Sequence, residues 1–231
     1  MIRAEDLIAK FQYALDNKWG YIWGTSGQVW TQRDQNNSSR EMTVKYGSKW
    51  IGHTVADCSG LFRWAYRQLG TDCAHGSNSI FKNYCNAKGT LKAGRRTDGQ
   101  EMKPGTAVFT GDAQEHGHIG LYIGGVNGEV IEAAGTQQGV IKSKVTDKKW
   151  TYWGELKAVA YTDVPEPTPE PGYAIVTGKK VALRQEPSTR ATVIMRINTG
   201  ESVKIEEAPD EWEYVSYGGK KGWMMKQFLK E

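Results

Sequence analysis

The chain has 231 residues, 39% of them hydrophobic and 24% charged, and a formal net charge of +4. That length accommodates one medium domain and a small one, each with its own core. The basic excess is too small and dispersed for a nucleic-acid-binding stripe, and no apolar run reaches the length that inserts into a membrane.

In chain order, the first element is a helix. Leu7, Ile8, Phe11, Ala14 and Leu15 recur at steps of three and four, and Gly20 is expected to end it. The opening MIRAEDLIAK carries acids where a secretory signal would be apolar, so the expectation is cytoplasmic synthesis without a signal peptide. A short apolar run, GYIWG, follows. Residues 25–56, polar and rich in Gly, Ser and Asn, read as one long loop of the kind usually kept for function. A second helix starts near Cys58, with Leu61, Phe62, Trp64, Ala65 and Leu69 on its apolar face and Gly70 at its end. A third, short helix is expected at Ser79 to Ala87.

After Pro104-Gly105 the period becomes two. TAVFTG, HIGLYIGG, EVIEAAG and ELKAVAY read as strands of one antiparallel sheet, and helices followed by strands predict an α+β domain over 1–162. The run VPEPTPEPG places proline at every second position, which forces extended backbone and marks a spacer at 163–172. Beyond it, 173–231 holds the short strand patterns YAIVTG, KKVALRQ, ATVIMRI, ESVKIEEA, EWEYVSY and KKGWMM. Turn signals at Glu186-Pro187-Ser188, Asn198-Thr199-Gly200 and Gly218-Gly219 separate them, as in a small all-β barrel.

The three cysteines, Cys58, Cys73 and Cys85, form neither an even framework nor a Cys-x-x-Cys pair, so no structural metal is expected. Cys58, in ADCSG, stands where loop becomes helix. A helix N-terminus offers unpaired N–H groups and a partial positive charge, which are expected to lower the thiol pKa and to hold an oxyanion. The alternative is an inert Cys at the helix start. Cys73 and Cys85 read as structural. Of His53, His75, His116 and His118, the last is the candidate base, because it opens the strand HIGLYIG. His118, Gly120 and Tyr122 share one face of that strand, while Ile119, Leu121 and Ile123 supply core. His116 reads as a solvated loop residue.

Glu132 is the candidate to orient His118, and strand register decides whether it can. A tight turn at Asn127-Gly128 pairs Glu132 with Ile123, on the wrong face. A five-residue loop from Gly124 to Gly128 places it opposite Gly120, with open space above the glycine. An ordinary solvent-facing Glu is the alternative. Seven of the nine tryptophans precede residue 160 and serve either a binding cleft or the core.

Together, GYIWG, DCSGL at Cys58, PGTAVF and HIGLYIG resemble the NlpC-type peptidases, papain-like hydrolases of bacterial peptidoglycan, over roughly residues 5–160. The resemblance implies a papain-like helix-plus-antiparallel-sheet domain with Cys58 as nucleophile, His118 as general base and Glu132 as the third polar member, a position often His in the family. It also implies substrate-peptide contacts from Tyr21, Asp57 and Ser59. Asp57 would pair with a stem-peptide amine, helix N-capping being its other reading. The 25–56 insert, WIGHTVADCSGLF and the later TYWG are most similar to phage-encoded members. In the second part, VALRQEPS, TGESVKI and EWEYVSYGGKKGWMMKQFL resemble the bacterial SH3-type wall-binding domains, with Tyr217 as the exposed wall contact and Trp212 and Trp223 as core.

The implied activity is cleavage of a stem-peptide amide, of D-glutamyl–diamino-acid endopeptidase type, through a Cys-His-Glu thioester mechanism without metal or cofactor. The alternatives are an N-acetylmuramoyl-L-alanine amidase on the same site and a non-catalytic wall-binding protein. The expected partner is peptidoglycan, with no nucleic acid and no membrane insertion. The expected form is a monomeric phage-type endolysin released to the wall through a holin-type pore.

Overall fold

A short strand β1 (Ile2–Arg3) leads into helix α1 (Ala4–Asp16). Leu7, Phe11 and Ala14 are buried on one side of α1, as the apolar spacing predicts, and Glu5 and Asp6 face the positive end of the helix dipole. The computed structural model describes residues 1–125, 128–147, 149–161, 172–207 and 211–230. The chain forms two compact units, 1–162 and 163–231. Apart from Gly172, the spacer expected at 163–172 lies outside the described residues, as do Val126 and Asn127 of the expected hairpin loop.

The segment 25–56 is not one loop. It folds as β2 (Ser26–Val29), α2 (Gln32–Asn36), α3 (Glu41–Tyr46), a 3-10 turn at Gly47–Trp50, and β3 (Thr54–Ala56), which pairs with β2. Thr31 and Asp34 form a reciprocal capping box at the start of α2. Trp50 docks this insert. Its ring lies where a side chain at Gly20 or Gly139 would stand, and its indole N–H donates to Thr136 O at 2.7 Å.

Helix α4 (Cys58–Gln68) buries Leu61, Phe62, Ala65 and Tyr66, and Phe62 meets Phe11 of α1 edge-on at 4.7 Å. Each such buried apolar side chain contributes about 1.5–3 kcal/mol over its exposed state. The third helix, α5 (Ser77–Tyr84), gives way at Cys85 to β4 (Cys85–Lys92), followed by β5 (Arg95–Arg96). The sequence pattern extends this helix to Ala87. The chain turns extended because β4 pairs with the distant β10 (Tyr152–Leu156). Between them lie β6 (Ala107–Thr110), β7 (His118–Gly124), β8 (Glu129–Gly135) and β9 (Gly139–Lys144), and β11 (Val159–Ala160) closes back onto β1. The sheet order is β5-β4-β10-β6-β7-β8-β9.

One sheet face packs on α1 and α4 through Phe109, Ile119, Leu121, Ile131 and Leu156. The other carries a smaller core of Val108, Val130, Trp150 and Trp153. No described helix is long and apolar enough to cross a membrane.

The second unit contains β12 (Tyr173–Val176), β13 (Val181–Arg184), β14 (Val193–Ile197), β15 (Ser202–Glu207), β16 (Trp212–Tyr217), β17 (Lys220–Met225) and β18 (Leu229–Lys230). They form one sheet, β14-β13-β17-β16-β15-β12-β18, around Ala174, Val176, Leu183, Val203, Val215 and Met224. Trp212 and Trp223 are half-buried rather than core. Trp223 lies against Tyr214 at 5.0 Å, since the closely packed centre leaves no volume for an indole.

Candidate active site

Cys58 is the first residue of α4, and Asp57 is its N-cap. The Asp57 carboxylate accepts from Gly60 N at 2.7 Å, Ser59 Oγ at 3.1 Å and Gly24 N at 2.7 Å, and it meets His75 Nε2 at 2.8 Å. Asp57 and Ser59 are each only 4% exposed. Both carboxylate oxygens are therefore engaged in closing the helix start. The capping reading of Asp57 describes its position, and Ser59, likewise buried, donates its hydroxyl to the same carboxylate.

Asp57 takes the N–H of Gly60, and its carbonyl takes that of Leu61. The N–H groups of Ile119, Ser59 and Cys58 favour the thiolate. Helix α4 packs on β7, and Cys58 shares a core cluster with Ile119, the residue after His118. Burial is the dominant influence on the thiol, and with the Asp57 charge it raises the pKa to about 12 against the pull of the three N–H groups. The lowered thiol pKa expected from the helix position alone does not hold, because desolvation of a thiolate outweighs half a helix charge. The resting group is the thiol, so its proton must leave as the sulfur attacks.

On the sheet, Leu121 pairs with Ile131 and Tyr122 with Val130. Continued by one strand position beyond Leu121 and Ile131, this register sets Glu132 opposite Gly120, as the longer of the two hairpin connections predicts, although Gly124 pairs with Glu129 past a bulge instead of lying in the loop. His118 Nε2 lies 2.6 Å from Glu132 Oε2. Glu132 is fully buried. Burial by itself would raise its pKa, but hydrogen bonds from His118 and Lys149 prevail and hold the carboxyl at about 2. An ionised Glu132 can only accept, so Nε2 of His118 is the donor in this bond and Nδ1 is the nitrogen not engaged by Glu132.

The space above Gly120 is not open. Trp150 and Val130 fill it, and a side chain at Gly120 would collide with both. The Trp150 ring lies 5.7 Å from His118 at 22°, stacked on the imidazole. Lys149, whose ammonium contacts Glu132 Oε1, and Trp150 are site residues that sequence reasoning missed. They lie on the connection between β9 and β10, where no motif marks them.

His116, two positions before His118, is 2% exposed rather than solvated. Phe81, Phe109 and Tyr152 surround it at ring distances of 3.7, 5.9 and 4.7 Å, and burial lowers its pKa. Cys73 and Cys85 are free and buried.

A cavity of about 490 Å³ lies against Tyr21, Trp23, Arg40, Met42, Gly135 and Thr136. Tyr21 is half-buried, and burial raises its phenol pKa, with Cys58 and Asp57 adding to the effect. Tyr21 lines the cavity and also packs against the core cluster that contains Cys58. Trp23 is 57% exposed, with the Arg40 guanidinium 3.6 Å above its ring. Among the seven N-terminal tryptophans, Trp23 is the one that lines this cleft. Among the described residues no cluster of His, Cys, Asp or Glu is arranged to hold a metal.

In the second unit, Tyr217 is half-buried and donates its hydroxyl to Glu201 at 2.8 Å, beside a depression that includes Tyr173, Lys204 and Lys221.

Residues 179–230 match the bacterial SH3 domain family. Over 94 residues the chain is 29% identical to the peptidoglycan DL-endopeptidase CwlO of Bacillus licheniformis, covering 41% of this chain and 18% of that protein, so the match spans less than a fifth of the relative. Among solved structures, the NlpC/p60 domain of the peptidoglycan hydrolase SagA is similar at 15% identity and a TM-score of 0.43, over 67% of this chain and 100% of that one. RipD of Mycobacterium tuberculosis, described as a non-catalytic NlpC/p60 domain protein adapted to peptidoglycan binding, is similar at 18% identity and a TM-score of 0.43. It covers 66% of this chain and 95% of its own. Residues 21–156, more than half of the chain, match the NlpC/P60 family, and the chain belongs to that family.

Proposed function

We propose that this chain hydrolyses an amide bond in the stem peptide of bacterial peptidoglycan, of the D-glutamyl–diamino-acid type, while its second unit holds it to the wall. The observation that carries the reading is the wiring around Cys58. Cys58 begins the helix that packs on the His118 strand and shares a core cluster with Ile119, and His118 is bonded through Nε2 to an ionised, buried Glu132.

In the reaction, the Cys58 sulfur bonds to the amide carbon as its proton passes to Nδ1 of His118. The carbonyl oxygen becomes an oxyanion beside the Cys58 and Ser59 N–H groups. His118 then gives its proton to the leaving amine, the C–N bond breaks, and a thioester remains on Cys58. Water attacks that thioester as His118 takes its proton, and the carboxylic acid leaves with the thiol restored. Glu132 keeps the imidazole in the tautomer that accepts at Nδ1 and stabilises the imidazolium between steps. Trp150 stacks on the ring and limits its rotation.

The test is mass spectrometry of muropeptides from purified walls treated with the full-length protein. The expected products pair a new glutamyl carboxyl-terminus with a diamino acid bearing a free amine. Release of intact stem peptides from muramic acid would instead establish an amidase. No new termini would leave a binding protein.

A further inference from the structure

The barrel has a second concave site, away from Tyr217. A groove of about 260 Å³ is lined by Lys179, Lys180, Arg184 and Arg196 together with Trp212 and Phe228. No carboxylate among the described residues lines it. Among the described residues none of the four cations is ion-paired. The two arginines bond backbone carbonyls instead, Arg184 to Ala191 O at 2.7 Å and Arg196 to Lys180 O at 3.0 Å. Those bonds fix the guanidinium groups without neutralising them. Elsewhere in the barrel, Lys204 and Lys221 meet Glu206, and Lys226 meets Glu213.

Two further features mark the groove as built. Lys180 has a φ of 51°, a left-handed conformation costly for a residue with a side chain. The Arg196 bond to its carbonyl holds it there. Trp212 is half-buried, outside the barrel core, so one indole face is committed to the groove. Guanidinium forks match oxyanions bidentately, and lysines add charge without directional demand. A flat indole packs against the apolar face of a sugar ring or polyol. Four uncompensated charges exceed what one carboxylate requires and suit a chain with repeated anions.

We propose that this groove binds a phosphate-bearing sugar or polyol chain attached to the wall. The inference rests on the wall-anchoring role given above to the second unit. The test is co-sedimentation of the full-length protein, in a Cys58→Ala background, with purified walls before and after phosphodiester-linked polymers are stripped with cold hydrofluoric acid. Stripping is expected to weaken retention at least fivefold. Lys179→Gln/Lys180→Gln is expected to lose as much on untreated walls and to be indifferent to stripping. Poly(glycerol phosphate) should compete, and inorganic phosphate at equal phosphorus should not. Lys220→Gln/Lys221→Gln, on the Tyr217 side, should change retention less than twofold. With Cys58 restored, the Lys179/Lys180 variant should cleave soluble muropeptides at the parental rate, which shows an intact first unit, and its amide hydrogen-exchange protection over 173–230 should match the parent, which shows an intact barrel. Equal losses from both lysine pairs, or equal competition by inorganic phosphate, would overturn the groove as a polymer site. So would full retention of Lys179→Gln/Lys180→Gln on untreated walls, with wall anchoring intact. Failure of the parent to sediment with any wall would overturn the anchoring reading as well.

Discussion

The first unit holds two buried carboxylates, each bonded to a histidine, and their surroundings give them different work. Asp57 lies 2.8 Å from His75, and Glu132 lies 2.6 Å from His118. The other partners of Asp57 are the backbone N–H groups of Gly24 and Gly60 and the Ser59 hydroxyl. They tie the helix start to the GYIWG segment, and His75 is an addition to a carboxylate already satisfied. Glu132 has no such backbone tie and is met by two side chains, His118 and Lys149. A carboxylate saturated by backbone donors fastens the chain. One met by side-chain donors can follow a proton on its partner. Burial is nearly equal in the two cases and does not tell them apart.

The most severe test of this division is at the Cys58 sulfur. Cys58→Ala is expected to cut muropeptide cleavage ~10⁴-fold or more with unchanged circular dichroism, because no other group takes over the nucleophile. Cys73→Ala and Cys85→Ala should retain most activity. Cleavage by Cys58→Ala would end the assignment.

Next come the members of the Glu132 pair. His118→Ala should lose ~10³-fold or more, Glu132→Ala ~10²-fold, and Glu132→Gln about tenfold, since the amide oxygen still accepts from Nε2. Equal rates for the two Glu132 variants would mean that the carboxylate does not orient the imidazole.

The Asp57 pair should respond in stability first. Asp57→Ala removes a helix cap and strands the buried Gly24 N–H, a loss of about 2–4 kcal/mol. Denaturant unfolding followed by tryptophan fluorescence measures it. His75→Ala should change turnover less than threefold. A larger effect on turnover would place His75 in the reaction.

Acid sharpens the contrast further. Glu132 is held at about 2 in the folded chain against an ordinary 4.5. A depressed carboxyl pKa contributes stability that is complete above 4.5 and disappears as pH falls towards 2. Melting temperatures between pH 5 and pH 2 should therefore fall less steeply in Glu132→Gln than in the parent. Parallel curves would show that Glu132 is not the group that titrates.

The smallest effect is expected in the cleft wall. Trp23→Ala and Arg40→Ala should each raise KM severalfold with kcat unchanged, in keeping with the ~0.5–1 kcal/mol of an exposed cation–π pair. A fall in kcat alone would place these residues nearer the chemistry than the cavity does.

The sequence by itself determined the parts that rest on local pattern. The apolar spacing of Leu7, Phe11 and Ala14 set the first helix. DCSG set the start of the second, leaving Asp57 between a substrate contact and a cap, and HIGLYIG set the strand that carries His118. For Glu132 the sequence supplied a choice between two registers, and strand pairing at Leu121 and Ile131 decided it. The tertiary structure alone decided the rest, because distance along the chain conceals it. Segment 25–56 folds as helices and a hairpin, since Trp50 docks on Gly20 and Gly139. β4 becomes a strand because β10, more than sixty residues away, supplies its hydrogen bonds. Lys149 and Trp150 complete the histidine site from a connection that carries no motif. His116 enters an aromatic box that no spacing announces. The Cys58 thiol shows the same limit: helix position argued for a lowered pKa, but the surrounding chain removes water from the sulfur, and that desolvation prevails.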